Sequence, residues 1–448
     1  MTNKSMKPRF INRTALSLAL FLTLLPGIAL AQNDAYVPSA ENIKSRQEFS
    51  DARFGVFLHW GIYSMLASGE WALNDNNLLF EDYKQLAGGF FPSQFDAREW
   101  VRQIKASGAG YICLTSRHHD GFSMWDTDRS DFDIMDATPF RRDIIAELAQ
   151  ACREEGIRLH LYYSHLDWGR PDYPLGRTGR RTGRPTGQEN YDQYLAFMKG
   201  QLEELLTKYG PIGAIWFDGI WDHDIDRTPF DWRLREQYDL IHRLQPGCLV
   251  ANNHHKAPYE GEDIQIFERD LPGENTAGYS AGQQVSNKLP LETCQTMNGM
   301  WGYKITDRNY KSPAQLIQLL VRTAGKGANL LLNIGPQPNG ELPAAAVTRL
   351  QQIGEWMKIY GPTVKGTQGG PVAPHAWGVT TSRDDTVYVH ILNLEDTTLF
   401  LPLEKKIAKA VFFKDGSAVK FTKVPGGITL SLGELPAEPD TVIELTIK

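Results

Sequence analysis

Ile215-Trp216-Phe217-Asp218-Gly219 sets a carboxylate at the end of a buried apolar run. An ionised acid in such surroundings costs free energy unless it has a partner or a task. Asp218 is therefore a candidate for attack or proton transfer, with a turn-capping role as the plain alternative. Upstream, His118-His119-Asp120-Gly121-Phe122 follows another apolar run. Adjacent histidines invite a metal reading, but neighbours on a regular strand face opposite ways and zinc ligands are usually spaced. Neutral imidazoles, each with one donor and one acceptor, suit sugar hydroxyls better. His59-Trp60-Gly61 and Gly69-Glu70-Trp71 extend the inventory, since Glu70 can accept from two vicinal hydroxyls while the Trp71 indole donates. Each alone has a bland alternative, Trp60 as core and Glu70 as a surface acid.

Such residues need a frame that brings them together. Apolar runs at residues 54–58, 111–115, 158–163, 214–217, 248–251, 264–267 and 329–333 read as buried parallel strands. Amphipathic helices lie between them: Asp96 caps one ending at Gly108, Asp143 opens one ending at Gly156, and a long one runs from Tyr191 to Tyr209 before Gly210-Pro211. This alternation fits a (β/α)8-like TIM barrel or a doubly wound sheet. Several strand candidates end in polar or aromatic residues, among them His59-Trp60, His118-His119, Tyr162-Tyr163, Asp218 and Asn252-Asn253. A barrel gathers such ends around one mouth, so the barrel is expected. After Gly361-Pro362 the pattern changes to short alternating strands at residues 377–382, 386–392, 408–413, 428–432 and 441–447, with Asp-Asp, Asp-Gly and Gly-Gly turns. That predicts a small antiparallel β-sandwich. The expected organisation is a signal peptide at 1–31, a catalytic domain at 32–362 and the sandwich at 363–448, with a glycine- and proline-rich linker.

The signal peptide reading rests on Lys4, Lys7, Arg9 and Arg13 before an apolar run from Ala15 to Leu25, which leads to Ala29-Leu30-Ala31. Pro26 and Gly27 cut that run short of the ~20 apolar residues of a spanning helix. Cleavage after Ala31, export to the periplasm or the medium, and no membrane insertion afterwards are expected. A formal charge of −6 over 448 residues gives no sign of nucleic acid as a partner. Cys113, Cys152, Cys248 and Cys294 are far apart with no C-x-x-C pair, so zinc and dithiol motifs are unsupported and buried thiols are expected.

Six blocks closely resemble the α-L-fucosidases of glycoside hydrolase family 29, in that family's order: Phe54-Gly55-Val56-Phe57-Leu58-His59-Trp60-Gly61, Glu70-Trp71, His118-His119-Asp120-Gly121-Phe122, Tyr162-Tyr163-Ser164, Trp216-Phe217-Asp218-Gly219 and Asn329-Leu330-Leu331-Leu332-Asn333-Ile334-Gly335-Pro336. The resemblance spans about residues 54–340. It implies an exo-acting, retaining hydrolase of terminal α-L-fucosyl residues on fucosylated oligosaccharides or glycoconjugates, working by double displacement with no metal or other cofactor. By matching motif, Asp218 is expected as the nucleophile, and His59, Glu70, Trp71, His118, His119, Tyr162 and Trp216 as the shell holding fucose. Trp301, in Met300-Trp301-Gly302-Tyr303, resembles the aromatic wall near the sugar's 6-methyl group.

The acid/base sits where that pattern varies. Glu268 directly follows the strand at 264–267 and is expected in the role, because a rigid strand end aims it at the mouth. Glu292, in Leu291-Glu292-Thr293-Cys294, is the alternative. An ionised Asp218 should keep Glu268 protonated until the sugar is attached, after which Glu268 acts as base. Residues 169–188 carry Arg170, Arg177, Arg180, Arg181 and Arg184 among glycines and prolines, read either as a solvated loop or as an aglycone-side surface favouring acidic or branched glycans. Two other functions stay open on the residues alone: a non-catalytic fucose-binding protein, and a metal-dependent barrel hydrolase using His118, His119 and Asp218.

Overall fold

The computed structural model is described over residues 35–448, so the expected leader at 1–31 lies outside the described residues. Eight parallel strands form one sheet: β1 (Phe54–Leu58), β2 (Tyr111–Arg117), β3 (Arg158–Ser164), β4 (Ala214–Asp218), β5 (Leu249–Asn253), β6 (Gln265–Glu268), β7 (Leu291–Thr296) and β8 (Ala328–Ile334). They run in the order β5-β4-β3-β2-β1-β8-β7-β6. Between its ends, the Asp263 and Ile264 N–H groups both donate to the Val250 carbonyl, and Ala251 bridges Ile264 in parallel. The sheet thus closes as a barrel rather than lying open. Asp96 and Asp143 cap the helices Ala97–Ala106 and Ile144–Glu155, accepting from the backbone N–H of Glu99 at 3.0 Å and of Ala146 at 2.8 Å.

Strand alternation sorts the side chains. On β4, Ile215 and Phe217 join the layer packed under the helices, while Ala214 and Trp216 join Phe57, Tyr111, Cys113, Tyr162, Leu249, Ala251, Ile266, Cys294 and Leu331 inside the barrel. Continuing the inward set by two residues along β1, β4, β5 and β6 reaches His59, Asp218, Asn253 and Glu268. The parity that fills the barrel also points these side chains into its mouth.

Strand β7 is the one barrel strand that the sequence pattern does not mark. Its Glu292, Thr293, Gln295 and Thr296 interrupt the apolar run on which a buried strand is recognised. These polar groups are satisfied, Glu292 by Tyr111 and Trp216 inside the barrel and Thr293 and Gln295 by the carbonyls of Asp270 and Arg269, as a buried position requires.

Beyond the barrel, two antiparallel sheets pack face to face. One is built from β9 (Gln368–Gly369), β10 (Gly378–Arg383), β11 (Thr386–Ile391), β13 (Ile407–Phe412) and β16 (Thr441–Ile447), the other from β12 (Thr398–Leu401), β14 (Lys420–Val424) and β15 (Gly427–Ser431). Val387, Val389, Leu399, Leu401, Leu430, Ile443 and Leu445 lie buried between them. The connection from Gly361 to Gly370 is packed rather than slack: the Arg53 guanidinium donates to the Thr367 carbonyl, Gly366 N–H to the Asp51 carbonyl at 3.0 Å, and the Thr381 hydroxyl to the Thr363 carbonyl at 2.5 Å. All four cysteines are buried free thiols. Among the described residues no helix is long and apolar enough to cross a membrane.

Candidate active site

The strand tips surround a cavity of about 370 Å³. His59, Glu70, Trp71, His118, His119, Tyr162, Trp216, Asp218, Glu268 and Trp301, every residue expected at the site from the sequence, line it together.

Asp218 ends β4, and Gly219 follows at φ +100°, a conformation that strains any side chain. That turn brings the Gly219 N–H to Asp218 Oδ1 at 2.8 Å. The Trp221 indole donates to the same oxygen at 2.8 Å, and the Tyr162 hydroxyl donates to Oδ2 at 3.0 Å. Asn253 Nδ2 lies 3.4 Å from Asp218 Oδ1 and 2.8 Å from Glu268 Oε2. Those two lengths laid end to end are the largest separation the two oxygens can have. That is shorter than the ~6.5–9.5 Å of inverting carboxyl pairs and admits the ~5–5.5 Å of retaining ones.

The electrostatics depart from the expected order. Burial, with the Glu268 charge adding to it, pushes Asp218 up to about 6. Burial also raises Glu268, but His255 outweighs it, by hydrogen bond and charge, together with Asn253 and Arg269, and holds Glu268 below its ordinary value. His255 Nε2 stands 3.0 Å from Glu268 Oε2. In the free protein the proton therefore favours Asp218.

Fixed partners set the tautomers of two of the site histidines. Asn333 donates its amide to the Trp301 carbonyl at 2.7 Å, so its Oδ1, 2.6 Å from His59 Nδ1, must accept. His59 then carries its proton on Nδ1, and Nε2 is left as acceptor. Ser164 likewise donates to the Leu166 carbonyl at 2.7 Å and accepts from His119 Nδ1 at 2.7 Å, which leaves His119 Nε2, 3.6 Å from Asp218 Oδ2, as the acceptor nitrogen. Burial lowers all three imidazoles, His59 to about 3 and His118 and His119 well below the ordinary range, and so keeps them neutral. His118 Nδ1 is buried without a protein partner. The two neighbouring rings lie 4.1 Å apart and share one cavity, contrary to the opposite-face expectation, because both residues lie past the end of β2 and after a register slip between Thr115 and Arg117. Among the described residues no three His, Cys, Asp or Glu side chains are placed to hold a metal ion.

Glu70 Oε2 accepts the Gly302 N–H at 2.7 Å, which ties the first-strand loop to the segment carrying Trp301. Gly335, in the Asn-Ile-Gly-Pro motif, is needed for that approach, since a Cβ there would lie 2.6 Å from the backbone of Gly302 and Tyr303. Trp301 faces His59 and Phe57 at 5.2 and 6.1 Å between ring centroids.

Sequence reasoning did not assign Trp221, His255 or Tyr279 to the site, named Asn253 only as a strand end at the mouth and Arg177 only in one reading of the loop, and all of them line the cavity. The Asp218-Gly219-Ile220-Trp221 spacing and the polar run Asn252-Asn253-His254-His255 at the tip of β5 were the available signals, but only the fold shows them converging. Of the loop arginines, Arg177 alone faces the cavity, its guanidinium 4.9 Å above the Trp221 ring. Arg170 pairs with Asp172, Arg180 and Arg184 bond backbone carbonyls, and Arg181 bonds Asn77.

Glu292 sits lower in the barrel than Glu268. It pairs in register with Ile266 while Glu268 pairs with Cys294, so Glu292 lies one inward position beneath Glu268. Fully buried, it accepts from the Tyr111 hydroxyl at 2.6 Å and the Trp216 indole at 2.8 Å. Burial pushes it up to about 7. A buried acid raised in this way stabilises the fold fully below its unfolded value of 4.5 and loses that contribution as pH rises through about 7. Glu292→Gln should therefore gain on the wild type by roughly 3 kcal/mol between about pH 4.5 and pH 8. Denaturant unfolding across that range measures it, and a difference independent of pH would refute it.

Residues 24–362 match the family profile described as Alpha-L-fucosidase. The plasma alpha-L-fucosidase of Rattus norvegicus is 30% identical over 446 residues, covering 90% of this chain and 85% of that protein. The alpha-L-fucosidase of Dictyostelium discoideum is 29% identical over 405 residues, covering 82% and 83%. Among solved structures, alpha-L-fucosidase isoenzyme 1 from Paenibacillus thiaminolyticus superposes with a TM-score of 0.81 at 33% identity, over 91% of this chain and 100% of that one. The alpha-L-fucosidase from Vibrio sp. strain EJY3 gives 0.80 at 30% identity, over 92% and 73%.

Proposed function

The chain belongs to the α-L-fucosidase family of glycoside hydrolases, and from that premise we propose that it releases terminal α-L-fucosyl residues from fucosylated glycans by double displacement. The observation that carries the mechanism is the Asn253 amide shared between Asp218 and Glu268. Asp218 attacks the anomeric carbon, the bond to the aglycone oxygen breaks, and Glu268 delivers its proton to that oxygen. Water then attacks the same carbon, gives a proton to Glu268, and Asp218 departs as a carboxylate. The Trp221, Gly219 and Tyr162 donors favour that departing charge.

Attack needs Asp218 ionised and Glu268 protonated, the reverse of the free protein. Substrate supplies the difference: positive charge growing at the anomeric carbon favours an ionised Asp218, and the aglycone oxygen is a proton acceptor beside Glu268. His59, His118, His119, Glu70 and Trp71 serve the three hydroxyls, and Trp301, Phe57 and Trp216 give apolar surface to the methyl group. Groups left unpaired by a wrong sugar would be costly, which is the source of selectivity. Residues 32–362 form the catalytic domain and 363–448 an accessory sandwich, and the protein is exported to the periplasm or medium after cleavage at Ala31.

The test is to recover the exported protein, sequence its N-terminus, and incubate it with α1,2-, α1,3-, α1,4- and α1,6-fucosylated oligosaccharides while following the released sugar by NMR. Fucose should emerge first as the α anomer. Initial β-fucose, or no release from any member, would defeat the reading.

A further inference from the structure

A proton donor works on the oxygen between two groups, so what borders Glu268 on the way out of the cavity faces the departing half of the substrate. That border is His255, whose Nε2 is 3.0 Å from Glu268 Oε2. Its ring is stacked on Tyr279, with centroids 5.3 Å apart and planes 26° apart. Tyr279 lines the same cavity yet is 44% exposed. The loop carrying it is anchored in advance, since Asp270 Oδ1 accepts the Thr276 N–H at 2.8 Å and the Ala277 N–H at 3.0 Å.

We propose that Tyr279, backed by His255, is the platform on which the pyranose ring of the leaving sugar stacks. The C–H face of a pyranose is apolar and matches an aromatic face. A pre-anchored ring loses little freedom when it is covered. The inference rests on Glu268 being the proton donor of the reaction proposed above.

The experiment compares kcat/KM for wild type, Tyr279→Ala and Tyr279→Phe on two substrates. One is the α-fucosyl disaccharide cleaved fastest in the linkage panel. The other is α-L-fucosyl fluoride, whose leaving group is too small to touch the platform. The ratio of disaccharide to fluoride should fall roughly tenfold or more in Tyr279→Ala and stay near wild type in Tyr279→Phe, which keeps the aromatic face. An unchanged ratio in the alanine variant, or an equal fall in both variants, overturns the platform. Fluoride turnover by the wild type keeps the fucosidase reading apart from that failure, and its absence would overturn both.

Discussion

Asp218→Ala and Asp218→Gly should lose turnover of fucosylated glycans by about 10⁴-fold or more while keeping the native fold. The fold should survive because the ionised carboxylate is a burden to it: burial has raised Asp218 to about 6, so above that pH the folded chain holds a charge that water would solvate better. Removing it should leave unfolding free energy at neutral pH no lower than wild type. Azide added to either variant with an activated aryl fucoside should enter the vacated space and attack the anomeric carbon from the same side, giving β-L-fucosyl azide. Product analysis by NMR reads the outcome directly. Near-normal turnover by the alanine variant would remove Asp218 from the nucleophile's role.

Glu268→Ala should reduce hydrolysis of natural glycans by about 10³-fold, yet cost far less on fucosyl fluoride, whose leaving group needs no proton. The pH profile should separate the two carboxylates. They titrate as a pair that holds a single proton between the depressed Glu268 value and about 6. Below that window both are protonated and no nucleophile remains; above it no proton is left to donate. Wild-type kcat/KM on glycans should therefore be bell-shaped, with its alkaline limb near pH 6. In Glu268→Ala that limb should vanish on the fluoride, leaving a single acid limb set by Asp218 alone, below about 6 because the like charge raising Asp218 is gone. Azide should now add from the opposite face and give the α-azide. If Glu268→Ala keeps full activity on glycans while Glu292→Ala loses it, the assignment must be exchanged.

Glu268 and Glu292 also mark how far residue patterns reach. Both face inward, and on one-dimensional grounds both follow or sit among strand-like residues. Their heights differ by one inward position, which depends on the register of β6 against β7. Strand β7 was illegible because a barrel interior supplied partners, Tyr111 and Trp216, for a glutamate that local rules treat as a strand breaker. The histidine pair was legible as a feature of the barrel mouth, but its shared orientation was not, since that follows from the chain leaving β2 after a register slip. The arginine-rich loop resolved in both directions: most of its guanidiniums hold the loop together, and Arg177 faces the cavity.

Amino-acid order alone determined the local facts of this protein. Apolar runs specified most barrel strands, Asp96 and Asp143 specified helix starts, and period-two alternation specified that the residues two beyond an inward Trp216 or Ile266 are the inward Asp218 and Glu268. Tertiary structure alone decided what those acids meet: the Asn253 amide between them, the His255 ring that lowers Glu268, and the donors that hold Asp218. The physical reason is one of range. Backbone hydrogen bonding and side-chain alternation act over a few neighbouring residues, whereas proton affinity and approach geometry depend on groups from separate strands that only closure of the barrel brings within a few ångströms.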